Sequence, residues 1–86
     1  MKIVWDEPKR LANLDKHGLD FADLNETFFD NALVITSHNK SKRWVAIGAS
    51  IRGVIVVVFA RLGREGVSII SMRRASRRER KLYAER

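Results

Sequence analysis

Residues 67–86 read VSIISMRRASRRERKLYAER, and this stretch decides the fold because it passes from a buried strand directly into a basic helix. The apolar run that starts at Val67 predicts a strand ending at Arg73. Ser76 is a helix N-cap by type, and Glu79 three residues later completes a capping box. From Arg73 onward the chain holds seven Lys or Arg against two Glu, so this segment carries a net charge of +5.

Three more strands are predicted upstream of this segment. Ala32 to Thr36 and Arg43 to Ser50 are apolar or alternating runs, separated by the polar turn Ser37 to Ser41. Val54 to Arg61 is β-branched and apolar on both faces, which is typical of a central strand. Because the connections are short, the last four strands should form an antiparallel meander.

The N-terminal third predicts one strand and two helices. Lys2 to Trp5 favours a short strand, and Asp6 caps a helix that ends at Gly18, a residue suited to a left-handed terminus. Asp20 then caps a second helix, which ends near Asn31. The predicted fold is α+β in the order β-α-α-β-β-β-β-α, with the helices packed on one face of the sheet.

Composition limits the classes of protein to which the chain can belong. We expect residues 1–86 to form a single domain, because a chain of this length has room for one core. The chain has no cysteine, which excludes disulfides, thiolate metal sites and thiol nucleophiles. Its longest apolar run, Val54 to Ala60, is too short to span a membrane, and its N-terminus lacks a signal-peptide pattern, so a cytoplasmic protein is expected.

Positive charge is concentrated in the second half of the chain. Residues 1–40 have five basic and seven acidic side chains, residues 41–72 have five and one, and the total reaches +7. This asymmetry indicates one surface that faces a polyanion, since neutralised phosphates supply most of the sequence-independent affinity for nucleic acids. A solvated polar helix face is the alternative interpretation of the same charge run.

Two arginines at strand ends are candidate catalytic residues. Arg61 and Arg73 each end an alternating apolar run, and in an antiparallel hairpin they should lie at opposite ends of the two strands. The reach of a guanidinium could still bring both to one concave face of the sheet. Alternatively, Arg61 only closes its strand at the surface.

The last helix supplies further candidates. Glu79, Arg80 and Tyr83 follow Ser76 at helical spacing and share a face. Glu79 is a candidate acid or base, although the capping box alone explains its presence. Tyr83 is a candidate for stacking on a base or for donating its phenolic proton, or else it anchors the core together with Leu82.

The two histidines do not predict a metal site, because no carboxylates stand at matching spacing. His17 could act as a general acid or base, since its unperturbed pKa lies near neutrality, or it could hydrogen-bond the last carbonyls of the first helix. His38 lies in the polar turn and should be solvated. No cofactor motif is present, and none is predicted.

These residue types suffice in kind for RNA cleavage without a metal ion. The 2′-oxygen attacks the adjacent phosphate while a base takes its proton and an acid protonates the leaving oxygen. Arg and Lys then stabilise the additional negative charge in the transition state. A non-catalytic module that binds nucleic acid or protein is the alternative, because charge and composition do not separate the two.

Nearly the whole chain, and most specifically its two ends, resembles the BrnT toxins of bacterial type II toxin–antitoxin modules. The resemblance rests on VWDEPK at residues 4–9, Asn13, KHG at residues 16–18 with Phe21, and residues 69–83. It implies a RelE-like fold, with two N-terminal helices and a C-terminal helix on a curved antiparallel sheet. It also implies a ribonuclease that arrests translation, a BrnA antitoxin that neutralises it, and operator DNA bound only through the complex with that antitoxin.

The resemblance also implies site residues. RelE-like toxins use Arg or Lys from the sheet and a Tyr or His near the C-terminus, and Arg61, Arg73 and Tyr83 match this pattern best. Glu79 and His17 are additional catalytic candidates. We expect the RNA backbone to be bound by the remaining cations of this region, Arg64, Arg74, Arg77, Arg78, Arg80 and Lys81.

Overall fold

The elements of the fold follow the predicted order. The structure is a computed structural model that describes residues 1–36 and 42–86, and the predicted polar turn with His38 lies outside the described residues. Along the chain the elements are β1 (Lys2–Trp5), α1 (Glu7–His17), a 3-10 turn (Phe21–Asp23), α2 (Glu26–Asn31), β2 (Leu33–Thr36), β3 (Arg43–Ser50), β4 (Gly53–Leu62), β5 (Gly66–Arg74) and α3 (Arg77–Ala84). The α+β class is confirmed.

The five strands form one mixed sheet in the order β1-β5-β4-β3-β2. Strands β2 to β5 make the predicted antiparallel meander, and β4 is central as expected. In contrast, β1 pairs in parallel with β5, from Lys2 opposite Gly66 to Trp5 opposite Ile69. Short turns specify the partners of consecutive strands, but no local turn specifies the partner of β1, which comes from the other end of the chain.

Helices cover both faces of the sheet, so the prediction of a single helical face is wrong. On one face, which we call the N-terminal helix face, Phe21 and Phe28 pack with strand residues that include Phe59. On the other, which we call the α3 face, Ala75 and Tyr83 pack against strands β3 and β4. The physical reason is that the apolar residues of a central strand point both ways and need cover on both sides.

The second helix begins later than predicted. Asp20 caps only the 3-10 turn, where its Oδ1 accepts a hydrogen bond from the Ala22 N–H at 2.9 Å. The α-helix starts after Asn25, whose Oδ1 accepts from the Phe28 N–H at 2.9 Å. Two residues of good capping type stand close together, and sequence alone does not decide which one starts the longer helix.

The buried side-chain amide of Asn13 anchors α1 to the sheet. An apolar residue of the same helix, Leu11, is 52% exposed and does not serve as this anchor. Asn13 is only 7% exposed; its Nδ2 donates to the Leu19 carbonyl at 3.2 Å, and its Oδ1 accepts from the Met72 N–H at 3.1 Å. Because β1 ends opposite Ile69, the outer edge of β5 is unpaired at Met72. Asn13 satisfies this buried N–H in place of a neighbouring strand.

A β-bulge in β5 changes which side chains share a face. Val58 and Phe59 are adjacent in β4, but their partners in β5 are Ser71 and Ile69, which leaves Ile70 as the extra residue. One inserted residue reverses the alternation of side chains beyond it. Residues after the bulge therefore point to the face opposite to the one that strict alternation predicts.

Candidate functional site

The two strand-end arginines lie on opposite faces of the sheet. Arg61 pairs with Val67 beside the β4–β5 turn, and its guanidinium lies over Trp44 on the N-terminal helix face. Arg73 pairs with Val56 on the α3 face, about 20 Å further along β5 at the usual rise per residue. Their predicted positions at opposite strand ends are confirmed. The prediction that both could reach one concave face is wrong, because the bulge turns the Arg73 side chain to the opposite face of the sheet.

Arg73 forms a two-point ion pair with Glu79 of α3. Its Nη1 donates to Oε1 at 2.7 Å, and its Nη2 donates to Oε2 at 2.8 Å. Oε1 also accepts the Ser76 N–H at 2.8 Å, while Ser76 Oγ accepts the Glu79 N–H at 3.2 Å, which confirms the predicted capping box. One carboxylate therefore sets both the start of α3 and the plane of the Arg73 guanidinium.

Glu79 is held in its ionised form. Hydrogen bonds from Arg73 lower the pKa of Glu79 to about 2, with help from the Ser76 N–H and against the opposing effect of burial. The same pairing raises the pKa of Arg73. A carboxylate with so low a pKa has no proton to give at neutral pH and accepts one poorly. The geometry therefore favours Glu79 as the residue that orients Arg73.

Tyr83 lies one helical turn beyond Glu79, half-buried against the α3 face. Arg86 covers it: the Arg86 Cζ is 3.8 Å from the ring centroid, and Nη2 donates to the Tyr83 hydroxyl at 3.2 Å. Because the hydroxyl accepts from Arg86, its own proton remains to be donated elsewhere. Leu82, the other predicted core residue, is 48% exposed and does not join the core. We refer to these two pairs, Arg73 with Glu79 and Tyr83 with Arg86, as the α3 cluster, since Glu79 and Tyr83 are one turn apart on α3.

Most other cations of α3 lie on its solvent side. Arg77, Arg78 and Lys81 are exposed, whereas Arg80 donates from Nη1 to the Ala75 carbonyl at 3.3 Å. Arg77 and Arg78 occupy the first helical turn, where the helix dipole disfavours positive charge by about 0.3–1 kcal/mol each. Helix stability alone therefore does not explain these two arginines.

His17 lies at the C-terminal end of α1. Arg74, on the N-terminal helix face, donates from Nη1 to the His17 carbonyl at 3.1 Å. Gly18, at φ +69°, closes the same helix end in the predicted left-handed conformation. The terminal carbonyls of α1 are thus held by Arg74 and by the Gly18 N–H. In the part of the chain that the structure describes, no hydrogen bond or ion pair joins His17 to Arg73 or Tyr83.

Arg61 and Arg64 are exposed at the β4–β5 turn, away from the α3 cluster. The Arg61 Cζ lies 4.4 Å from the ring centroid of Trp44. Trp44 and Arg86 were not predicted as site residues. The spacing of Arg86 from Tyr83 at i, i+3 is a usable signal, whereas the approach of Trp44 to Arg61 depends on strand register, which the sequence specifies weakly.

Within residues 1–36 and 42–86, no three His, Cys, Asp or Glu side chains lie close enough together to hold a metal ion. Cleavage without a metal ion stays a prediction. In the same part of the chain, no helix is both long and apolar enough to cross a membrane.

Comparisons with known proteins agree on one family. The profile of a family described as "Ribonuclease toxin, BrnT, of type II toxin-antitoxin system" matches residues 5–79. Among solved structures, the crystal structure of the Brucella abortus ribonuclease toxin BrnT is similar, with 51% sequence identity and a TM-score of 0.81. That match covers 90% of this chain and 99% of the Brucella chain. A search of curated proteins found no match.

Proposed function

The chain belongs to the BrnT family of ribonuclease toxins of type II toxin–antitoxin systems, and on this basis we propose that it is an endoribonuclease that cleaves mRNA without a metal ion. The family match spans most of the chain, including the α3 cluster up to Glu79. In this proposal residues 1–86 act as a single RelE-like toxin domain that needs no cofactor.

The observation that carries the proposal is the cationic start of α3. Arg77 and Arg78 project from the first turn, and Arg73 contacts the same turn through Glu79. A helix that served only to cover the sheet would be more stable with acidic residues at this end. Two cations at this end lower the stability of the helix, and such a loss is expected where the cations bind a phosphate backbone.

The chemical step is assigned to the α3 cluster. Arg73, already oriented by Glu79, meets the scissile phosphate and stabilises the charge that develops when the 2′-oxygen attacks the phosphorus and gives up its proton to a solvent water. The Tyr83 hydroxyl protonates the leaving 5′-oxygen, because Arg86 occupies a lone pair of the phenol and not its proton. The products are a 2′,3′-cyclic phosphate and a free 5′-hydroxyl. Arg77, Arg78, Arg80 and Lys81 contact flanking phosphates.

A BrnA-like antitoxin is proposed as the partner that neutralises the enzyme. Its acidic or amphipathic segment folds over the α3 cluster and excludes RNA by occupying the same surface. Operator DNA is bound through the antitoxin in that complex. Loss of the antitoxin frees the toxin in the cytoplasm, where cleavage of mRNA inhibits translation. A complex in which α3 stays open to RNA would contradict this mode of inhibition.

Purified protein incubated with single-stranded RNA in excess EDTA tests the proposed activity. We expect fragments that end in a 2′,3′-cyclic phosphate, identified by mass spectrometry. Folded protein that binds RNA but yields no fragments would instead support the alternative, a non-catalytic nucleic-acid-binding module. If cleavage is absent in EDTA and appears when Mg²⁺ is added in excess, the protein is a ribonuclease but the proposed independence of a metal ion is wrong.

A further inference from the structure

A cleft lies beside the β4–β5 turn, on the face of the sheet opposite to Arg73. It has a volume of about 300 Å³, and its lining includes Phe29, Phe59, Arg61 and Arg64. We propose that this cleft binds an unpaired nucleobase of the RNA substrate, stacked on the guanidinium plane of Arg61. The inference rests on the proposed function, since it presumes that RNA is the substrate.

Arg61 has the geometry of a stacking surface. One side of its guanidinium lies over the Trp44 ring, with 4.4 Å from Cζ to the ring centroid, and the side chain is exposed. Among the described residues, none accepts a hydrogen bond or forms an ion pair with Arg61, whereas both nitrogen arms of Arg73 are engaged by Glu79. A planar guanidinium that keeps one face and all its N–H groups available is suited to a base that stacks.

An aromatic floor holds Arg61 in place. Trp44 is half-buried, packs against the core and stands opposite Phe59 in the β3–β4 register. Phe59 in turn meets Phe29 edge to face, with ring centroids 5.3 Å apart. Because Arg61 lies on an indole that is itself packed against the core, it is positioned before any ligand arrives, which reduces the entropy lost upon binding.

Charge favours a base over the phosphate backbone as the occupant. The residues that line the cleft include the basic Arg61 and Arg64 and the N-terminal Met1, but also the acidic Glu26 and Glu65. Glu26 lies 3.5 Å from the Met1 amino group. Three cations against two anions leave a net charge of only +1, which is weak for a phosphate site. Carboxylates beside a stacking plane instead accept hydrogen bonds from base N–H groups.

The distance to the α3 cluster predicts an effect on affinity and not on chemistry. Arg61 and Arg73 are separated by about 20 Å of strand and by the thickness of the sheet. The base in this cleft therefore lies several nucleotides from the scissile phosphate, and the RNA passes around the end of the sheet. Contacts so far from the reacting atoms strengthen binding without changing the transition state.

The variant Arg61→Lys tests this site, because it keeps the positive charge and removes the planar stacking surface. For a single-stranded RNA of about twenty nucleotides, we expect the KM and the Kd from fluorescence anisotropy to rise about tenfold, with kcat within twofold of wild type. A dinucleotide substrate, too short to reach the cleft, should be cleaved equally by both proteins. Arg52→Lys, at an exposed arginine on the β3–β4 turn, is the matched control and should change neither quantity.

Three outcomes would overturn the proposal. Arg61→Lys that matches Arg52→Lys would mean that no base stacks there. A loss of kcat at unchanged KM would give Arg61 a role in the chemical step. If wild-type protein neither binds nor cleaves RNA, both the proposed function and the proposed cleft fail. If the wild type is active and Arg61→Lys is equally active, only the proposed cleft fails. Equal melting temperatures establish that the variants are folded.

Discussion

At the scale of single residues, the surroundings of two arginines give them different chemistry. Arg73 has both Nη atoms engaged by Glu79, so its position is fixed, and among the described residues its Nε–H has no acceptor and can be donated to a phosphate. Arg61 rests on Trp44, is exposed, and has no hydrogen-bond acceptor or ion-pair partner within residues 1–36 and 42–86. The first arrangement suits stabilisation of charge at one defined point, and the second suits contacts that form only when a ligand arrives.

Glu79→Gln should remove the pH dependence of the Arg73 pair and keep the cap, because glutamine also completes a capping box. The pKa of Glu79 is lowered from 4.5 to about 2, so the pair stabilises the fold above pH 4.5 and loses this contribution as the pH falls towards 2. At pH 7 the wild type should exceed the variant by on the order of 1 kcal/mol in unfolding free energy, a value reduced for the half-exposed guanidinium. Urea denaturation at pH 7, 5 and 3 should show the unfolding free energies of wild type and Glu79→Gln becoming more similar as the pH falls.

Glu85→Gln is the control for this series. Glu85 is largely exposed and lies 3.9 Å from Lys81, so its replacement should change stability little at any pH. A stability difference between wild type and Glu79→Gln that stays constant from pH 7 to pH 3 would show that the ion pair contributes nothing.

Tyr83→Phe should lower kcat by about 100-fold, the usual size of a lost proton transfer, and leave RNA affinity and melting temperature nearly unchanged. The ring that packs against the α3 face remains, and only the hydroxyl is lost. Arg86→Gln removes the hydrogen bond to the same hydroxyl but keeps its proton, so a smaller loss is expected. Single-turnover cleavage measures both variants, and a Tyr83→Phe enzyme at full rate would rule out the hydroxyl as the acid.

At the scale of elements, close contacts between helices and sheet position the site. The bulge at Ile70 turns Arg73 towards α3, and the capping box starts α3 where Glu79 meets Arg73. On the other face, α2 packs on β3 at Gly48, where a Cβ atom would lie 2.7 Å from the Phe28 ring. That glycine lets a phenyl ring lie directly on the strand.

Gly48→Ala should therefore destabilise the protein by about 1–3 kcal/mol, since overpacking a filled core has this cost. The added methyl group meets Phe28 and also lies 3.2 Å from the Ala32 Cβ. Chemical denaturation measures the loss. The double variant Gly48→Ala/Phe28→Leu should lose less stability than the sum of the losses of the two single variants. Strictly additive losses would argue against this contact.

Replacing Arg77 and Arg78 with Gln should raise stability slightly and weaken RNA binding. The change removes two cations from the positive end of the helix dipole, worth about 0.3–1 kcal/mol each. If each arginine contacts one phosphate, the slope of log K against log salt should fall by about 1.4 for single-stranded RNA. Lys2→Gln with Lys9→Gln is the control of equal charge. A salt slope that is unchanged in the Arg77/Arg78 variant would place RNA on another surface.

Secondary-structure elements differ in how well the sequence predicts them, depending on whether local or long-range contacts specify them. Capping residues and short turns specified α3, the meander and the order of elements, because those signals act within a few residues. The bulge at Ile70 and the pairing of β1 with β5 depend on contacts between distant parts of the chain, so alternation misplaced Arg73. The capped start of α3 beside Arg73 follows from the sequence of the basic segment, whereas the Trp44–Arg61 contact required the register of three strands.

At the scale of the whole molecule, charge is divided between the two halves of the chain. Residues 18–31 contain four acidic and no basic residues, and they cover the N-terminal helix face. Residues 42–86 contain twelve Lys or Arg against three Glu, with α3 on the opposite face. Such a separation orients a polyanion during encounter, because α3 attracts the RNA backbone and residues 18–31 repel it, while Arg61 and Arg64 add positive charge at the β4–β5 turn.

The most direct test of the account is the single-turnover cleavage rate of RNA in EDTA for wild type, Arg73→Lys and Arg61→Lys. Lysine keeps the charge but not the two-point geometry, so Arg73→Lys should lose at least about 100-fold in kcat. Arg61→Lys should cleave bound RNA at nearly the wild-type rate. A normal rate for Arg73→Lys together with a large loss for Arg61→Lys would place the catalytic centre on the other face of the sheet and contradict the account.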